Sequence, residues 1–558
     1  MLRLKFVSNL EKVFQDESFD SFREIKKISA LKGERVSVQL ICALPVDETP
    51  NFPILFKPTF EGKLMKYATV RRVMSVPATR PANVNVDEDF LRTTPGLFPD
   101  VLMPLQYGGG VVITPRSLTS LWIDFEIPSD ADVADSGEIS VTFTSVKTHE
   151  RTPDISLSAS VNVEIINAVL PEQKLLFTQW FHADCLANYY KVEKWSDEHF
   201  RIIENFAKTA KKNGINMILT PLISPPLDNK FDTRDLQLAD VVKTADGYEF
   251  SWNKLARWIE ICDRVGIKYF EIGHLFTQGG AAYATKVTGM VDGEYKRLFP
   301  KDTPCDDPEY TRFLRAMLKS FLDFMKARGD DVRCYFHISD EPSDKHLETY
   351  LKAKNSVADL LEGYPIMDAL SHYEFYERGV VKKPVVILHF LSDFLNHGVP
   401  GLWTYNCCGP EVGYSNRFMG MSLSRNRSIS LLLYKYDIEG FLHWGYNFYN
   451  NSGSSDPINP FLDTSSGDFF PSGDAFSVYP GDNGEPYEST RLVTFFEGIQ
   501  DISVMRLCEE LYSKDEVVAL LEKTIGKTID PRTYVNKASD MHKVREALNS
   551  MIKAKISK

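Results

Sequence analysis

The feature that most constrains this chain is a rhythm. From about residue 174 onward, short apolar runs alternate with helical stretches of ten or more residues. A parallel sheet covered by helices imposes that pattern, because each strand must be followed by a crossover before the next can pair. Eight runs lie between Leu175 and Tyr446: LLFTQWF, NMILTPLI, KYFEIGHLF, VRCYFHI, YPIMDAL, PVVILHF, GLWTYNC and GFLHWGY. Eight is the number at which such a sheet closes into a barrel, with an open doubly wound sheet as the alternative.

A chain of 558 residues exceeds what one hydrophobic core normally organises. Residues 1 to about 168 carry a different pattern, in which β-rich runs such as VSVQLICAL, SLWIDFEI, ISVTFTS and LSASVNVEII are broken by Pro, Asp and Gly turns. That pattern predicts a β-sandwich. The stretch from about 490 to 558 is helical and amphipathic and is expected to pack on the barrel. The fold class read from sequence is therefore α/β, a (β/α)8 TIM-type barrel with an N-terminal β-sandwich domain and a C-terminal helical extension. The expected boundaries are 1–170, 171–510 and 511–558. Ser196 and Asn213-Gly214 bracket one helix with a cap and a stop. The Gly/Ser/Pro-rich span 450–489 reads as a long surface loop near the barrel mouth.

Composition narrows the function classes. The formal net charge is -12 and there is no Lys/Arg run, so a nucleic acid is not an expected partner. Eight cysteines are scattered without a C-x-x-C, so neither a zinc site nor a disulfide framework is expected. No metal and no cofactor are anticipated. The start, MLRLKFVSNLEKVF, lacks the apolar core of about 7–15 residues that a secretory signal needs. No run reaches the length of a membrane span, and the chain as given reads as cytoplasmic, with no membrane partner.

The fourth apolar run leads directly into Ser339-Asp340-Glu341-Pro342. Proline cannot continue a ladder, so the two acids fall at the strand's carboxyl end, where barrel sites lie. Other Asp-Glu pairs begin at positions 47, 87, 197 and 515, each more simply a solvated turn or a helix start. Neighbouring Cα atoms are only about 3.8 Å apart, so these acids cannot easily flank a glycosidic bond from opposite faces. They suit a different division of labour, in which a sugar's 2-acetamido oxygen attacks the anomeric carbon, one carboxylate orients the amide and the other protonates the leaving oxygen. On this reading Glu341 is the general acid and later base, with a raised pKa, and Asp340 stays ionised to accept the amide N–H. Spacing alone also permits the opposite assignment.

The stretches FTQWFHADCLANYY, NGINMILTPLISPPLDN, EIGHLFTQGGA, HISDEPSD, LWTYNCCGPEVGYSNRF and GFLHWGYNFYN together resemble the catalytic region of glycoside hydrolase family 123. The likeness runs over about residues 174–510 and follows the strand ends in order. The resemblance implies a retaining β-N-acetylgalactosaminidase that uses substrate assistance, with Asp340 and Glu341 as its acid pair. Trp often stands in the family where this chain has Gly279, which implies a missing stacking surface.

Further candidates for binding an N-acetylhexosamine glycoside lie at or after strand ends: Trp180, His182, Asp184, His274, Gln278, Tyr373, Trp403, Tyr405, His443, Trp444 and Asn447. Aromatic walls with a few polar anchors describe most small-ligand sites. Arg417 and Arg425 are as readily structural ion pairs as ligand forks, and Cys407-Cys408 reads as a pair of reduced thiols. Three rival readings exist, one of them a glycosidase acting on a sugar without an acetamido group. His182, Asp184, His274, His389 and His443 could be ligands of a metal-dependent barrel hydrolase, or the chain could bind carbohydrate without catalysis.

Overall fold

Alternation along the first strands places one face of each in a core. In Gly137–Ser145, Ile139, Val141 and Phe143 are buried while their neighbours are not. The computed structural model describes residues 2–44, 51–106 and 108–556. The Asp47-Glu48 pair lies outside the described residues. Two five-stranded sheets form in the N-terminal part. One orders the strands Arg3–Ser8, Arg35–Ala43, Thr119–Glu126, Ala68–Ala78 and Gly96–Pro104. The other orders Lys27–Lys32, Ser156–Val169, Gly137–Ser145, Ile54–Glu61 and Val111–Ile113. A single apolar cluster draws Leu40, Leu121 and Ile123 from the first and Ala30, Val141 and Val163 from the second.

The chain divides into two compact units, and the division differs from the three consecutive domains expected. Glu411–Lys435 and Tyr487–Lys558 belong with Met1–Lys174, while Leu175–Pro410 and Tyr436–Pro486 form the other unit. The cause is visible in the apolar faces. Met541, Val544, Leu548 and Ile552 of the helix Ala538–Ile556 share one cluster with Leu31, Ile166, Leu423 and Leu431. Buried charges tie the same pieces together: Arg427 is bidentate to Asp501 and also reaches Glu497. Arg425 is bidentate to Asp87 at 2.9 and 2.7 Å, which settles that arginine as a structural ion pair.

The second unit contains the eight strands that the sequence rhythm predicts: β1 (Leu176–Gln179), β2 (Met217–Thr220), β3 (Tyr269–Ile272), β4 (Cys334–Phe336), β5 (Met367–Leu370), β6 (Lys383–Ile387), β7 (Trp403–Tyr405) and β8 (Gly440–His443). All pairings are parallel, in the order β4-β3-β2-β1-β8-β7-β6-β5. The remaining seam, between β4 and β5, is bridged at Phe336 and Ile366, with Phe336 N–H donating to the Pro365 carbonyl at 2.9 Å. The barrel is thus nearly closed. Its interior is filled by Leu176, Met217, Leu219, Met367, Val385, Trp403 and Leu442. Gly440 is required opposite Trp403, since a Cβ there would lie 2.2 Å from the indole.

The helix Asp197–Lys212 follows its predicted signals, with the Ser196 hydroxyl accepting from His199 N–H and Gly214 at φ +81°. Asp197-Glu198 and Asp515-Glu516 begin helices, as expected. The span 450–489 differs from a surface loop, because residues 471–481 are buried throughout. The Ser477 hydroxyl donates to Gln179 Oε1 and Phe448 N–H donates to the Ala475 carbonyl, so the segment packs over the ends of β1 and β8. Among the described residues, no helix is long and apolar enough to cross a membrane.

Candidate active site

Strand β4 ends at Phe336, and four residues further on the chain turns at Asp340-Glu341. The two acids meet different environments. Asp340 is buried at 9% exposure, whereas Glu341 is exposed. Glu341 adopts φ 44°, a left-handed conformation that costs a non-glycine residue free energy and clusters at functional sites. The loop after β3 receives the pair: Gln278 Nε2 donates to Asp340 Oδ2 at 2.8 Å, and Gly279 N–H donates to the Asp340 carbonyl at 3.2 Å. Gln278 is oriented in turn, since its Oε1 accepts from Asp228 N–H at 2.7 Å. At the end of β7 the Tyr405 hydroxyl donates to Glu341 Oε1.

Burial and the neighbouring charge of Glu341 push the Asp340 carboxyl up to about 7, against the opposing hydrogen bond from Gln278. The sequence reading placed the raised carboxyl on Glu341 and left Asp340 ionised. The tertiary structure buries the first acid rather than the second, and desolvation of the charged form follows burial.

The other predicted residues separate into groups. Trp180, His182, Asp184, His274, His443 and Asn447 are all buried beneath the mouth. Arg234 grips Asp184 at 2.7 and 2.8 Å and donates to His182 Nδ1 at 3.0 Å. Burial opposes the Asp184 charge, but Arg234 outweighs it and holds the carboxyl down at about 2; burial and the same guanidinium lower His182 to about 3. Asn447 clamps the His182 backbone through both ends of its amide. His443 Nε2 lies 3.3 Å from Asp474 Oδ1, and the other oxygen of that carboxylate accepts from Trp444 Nε1 at 2.9 Å. Trp444 is half-buried against Phe448 and Phe470.

Tyr373 is half-buried and stacks on His397, with centroids 3.9 Å apart. Trp403 does not belong at the mouth, because it starts β7 and is fully buried in the barrel interior. The thiols of Cys407 and Cys408 are 3.9 Å apart. Gly279 faces open space, with no heavy atom within 4 Å of a Cβ built there.

The sequence reading missed a buried cluster below the acid pair. His337 at the end of β4 lies between Glu271 of β3, at 2.8 Å, and Asp368 of β5, at 3.1 Å. Trp180 Nε1 also donates to Glu271, at 2.6 Å. The legible signal was an acid inside an apolar strand, in KYFEI and IMDAL, since a charge there demands a partner. Among the described residues, His274, His337 and Asp368 form a group with ligand atoms within 4.8 Å of one another. Both His337 nitrogens are engaged by carboxylates, which leaves that ring no lone pair for a metal. The metal set of the rival reading is not assembled either, since Arg234 occupies His182 and Asp184.

A parallel barrel thus carries a buried and an exposed carboxylate side by side beyond the carboxyl end of β4. The profile of the glycoside hydrolase 123 catalytic domain matches residues 180–508. This chain belongs to glycoside hydrolase family 123, and it is a glycosidase that acts on carbohydrate. Among solved structures it is similar to a family 123 glycoside hydrolase from Clostridium perfringens, described in a study of glycolipid glycan hydrolysis. That likeness has 16% identity and a TM-score of 0.74, covering 100% of this chain and 99% of that one. A family 2 glycosyl hydrolase from Bacteroides cellulosilyticus matches at 10% identity and a TM-score of 0.27, over 79% of this chain and 44% of its own. The maltogenic alpha-amylase AmyB from Thermotoga neapolitana matches at 14% identity and a TM-score of 0.31, over 61% and 78% respectively. These last two likenesses are too distant to carry an argument. No curated protein sequence matches the chain.

Proposed function

We propose that the enzyme releases β-linked N-acetylgalactosamine with retention, by participation of the sugar's own acetamido group. The observation that supports this most directly is the asymmetry of the acid pair: one carboxyl is buried and bound by Gln278, and its neighbour is exposed and held by Tyr405. Two acids leaving one strand end cannot act from opposite faces of a sugar. They can serve two atoms on one side of it.

In the free enzyme the buried Asp340 carboxyl, raised to about 7, still carries a proton part of the time near neutral pH. An acetamido N–H donating to Asp340 favours the ionised form, and the proton passes to Glu341. The acetamido oxygen then bonds to the anomeric carbon as the bond to the leaving oxygen breaks, and Glu341 gives that oxygen its proton. Asp340 stabilises the oxazolinium-type intermediate. Water, deprotonated by Glu341, reopens it with a second inversion, so the configuration is retained. Gln278 and Tyr405 orient the two carboxylates, and the half-buried face of Trp444 offers an apolar wall.

The test is turnover of activated β-GalNAc, β-GlcNAc and 2-hydroxy glycosides, with a thiazoline inhibitor and with Glu341→Gln in the presence of azide. Turnover confined to the acetamido sugars, inhibition by the thiazoline and a β-azide product are expected. Equal turnover of the 2-hydroxy glycosides with no inhibition overturns the reading.

A further inference from the structure

An acid buried inside an apolar strand is tolerated only with partners, and the partners reveal its charge. Glu271 Oε1 accepts from Trp180 Nε1 at 2.6 Å and its Oε2 from the Thr178 hydroxyl at 2.6 Å. Asp368 Oδ1 accepts from Ile338 N–H at 3.0 Å, and its Oδ2 from the Tyr350 hydroxyl. Every oxygen of both carboxylates thus already faces a donor. An indole N–H and a backbone N–H can only donate, so each acid has a partner suited to a carboxylate. His337 presents Nε2 to Glu271 and Nδ1 to Asp368. An ionised carboxylate only accepts, so both ring nitrogens carry protons and the ring is an imidazolium. His274 stacks on that ring, with centroids 4.3 Å apart, and Trp180 meets both imidazoles edge-on.

The location gives the cluster its consequence. The β4–β5 seam has one isolated backbone bridge, whereas β3 and β4 pair over three residues. Just beyond that bridge, Asp368 bonds both the Ile338 N–H and the His337 ring, replacing ladder hydrogen bonds with side-chain ones. The chain that leaves this stitch is the one that carries Asp340.

We infer that His337, held doubly protonated between Glu271 and Asp368, is a positioning residue that fixes the end of β4 and sets the charge felt by Asp340. The inference rests on the acid pair acting as proposed above. Burial opposes a charge on His337, but the hydrogen bonds to Asp368 and Glu271 outweigh it and raise the ring to about 9. Burial also keeps His274 well below the ordinary histidine range, with the His337 charge adding to the effect, so the two stacked rings do not repel as two cations. Asp340 therefore faces Glu341, the His337 cation and the Asp368 anion. Removing the cation makes ionisation of Asp340 harder.

The experiment combines two readouts on the whole protein. The first is a 15N-histidine NMR titration from pH 6 to about 8, with His337→Gln used to assign the ring. Two low-field ring N–H signals persisting across that range are expected; a ring with a single proton at neutral pH overturns the inference, whatever the reaction proves to be. The second is the pH profile of His337→Gln and of the milder Glu271→Gln. For His337→Gln, kcat should fall at least about tenfold with KM changed less than about threefold. Its acidic limb should also move up by about one pH unit. In Glu271→Gln the low-field signals should titrate away below pH ~9, because one of the two anions that hold the proton is gone. A lower melting temperature with unchanged kcat and unchanged pH profile in both variants marks a purely structural cluster and also overturns the inference. If His337→Gln does not fold, Glu271→Gln and the wild-type signals decide. Should Asp340→Asn keep full turnover, the acid-pair reading fails separately from the NMR result.

Discussion

Asp340→Asn should abolish most turnover and yet make the protein more stable at alkaline pH than the wild type. The folded-state carboxyl stands at about 7, raised from 3.8. Between those values the folded protein binds a proton that the unfolded chain has already released. Wild-type stability is therefore full below pH ~4 and falls as pH rises through the folded value. At about 1.36 kcal/mol per pH unit, the total loss is about 4 kcal/mol. Asparagine carries no proton to lose and its Oδ1 still accepts from Gln278. The stability advantage of the variant should widen by about 2–3 kcal/mol between pH 5 and pH 8. The assay is thermal unfolding of both proteins at each pH, following the unit that contains the barrel. An advantage that is equal at the two pH values, or a variant less stable than wild type at pH 8, would refute the argument that burial of Asp340 is what raises it.

Glu341→Gln should lower turnover of an activated glycoside by about 10²–10⁴-fold, measured with and without azide; a rate within a few-fold of wild type removes it as the acid. Tyr405→Phe keeps the ring but deletes the donor to Glu341, and kcat should fall roughly tenfold or more while KM moves little. Arg234→Met strands Asp184 without its counter-charge, and the protein should lose about 3–5 kcal/mol in denaturant unfolding; an unchanged midpoint would show that Asp184 has another partner. Incubation with EDTA should leave turnover unaltered, and a loss restored by added zinc would revive the metal reading.

The barrel strands and the helix Asp197–Lys212 were legible because their signals are local. Apolar runs, a Ser cap and a Gly stop act over a few residues, and neither depends on what lies across the fold. Trp403 shows where that reasoning ends. Its position on an apolar strand was clear, but which end of β7 it occupied decided between sugar and core, and the strand begins at Trp403 itself. The span 450–489 misled in the same way, since Gly, Ser and Pro mark irregular backbone but do not reveal whether other segments cover it.

By itself the sequence determined that eight strands would alternate with helices and that two consecutive carboxylates would emerge where β4 stops. Covalent adjacency and proline chemistry suffice for that. Tertiary structure decided which of the two would be buried, which arginine would neutralise Asp184, and that a histidine would sit between acids from β3 and β5. Those outcomes depend on desolvation and on charges brought together from residues far apart in the chain, and neither is encoded in any short stretch of residues.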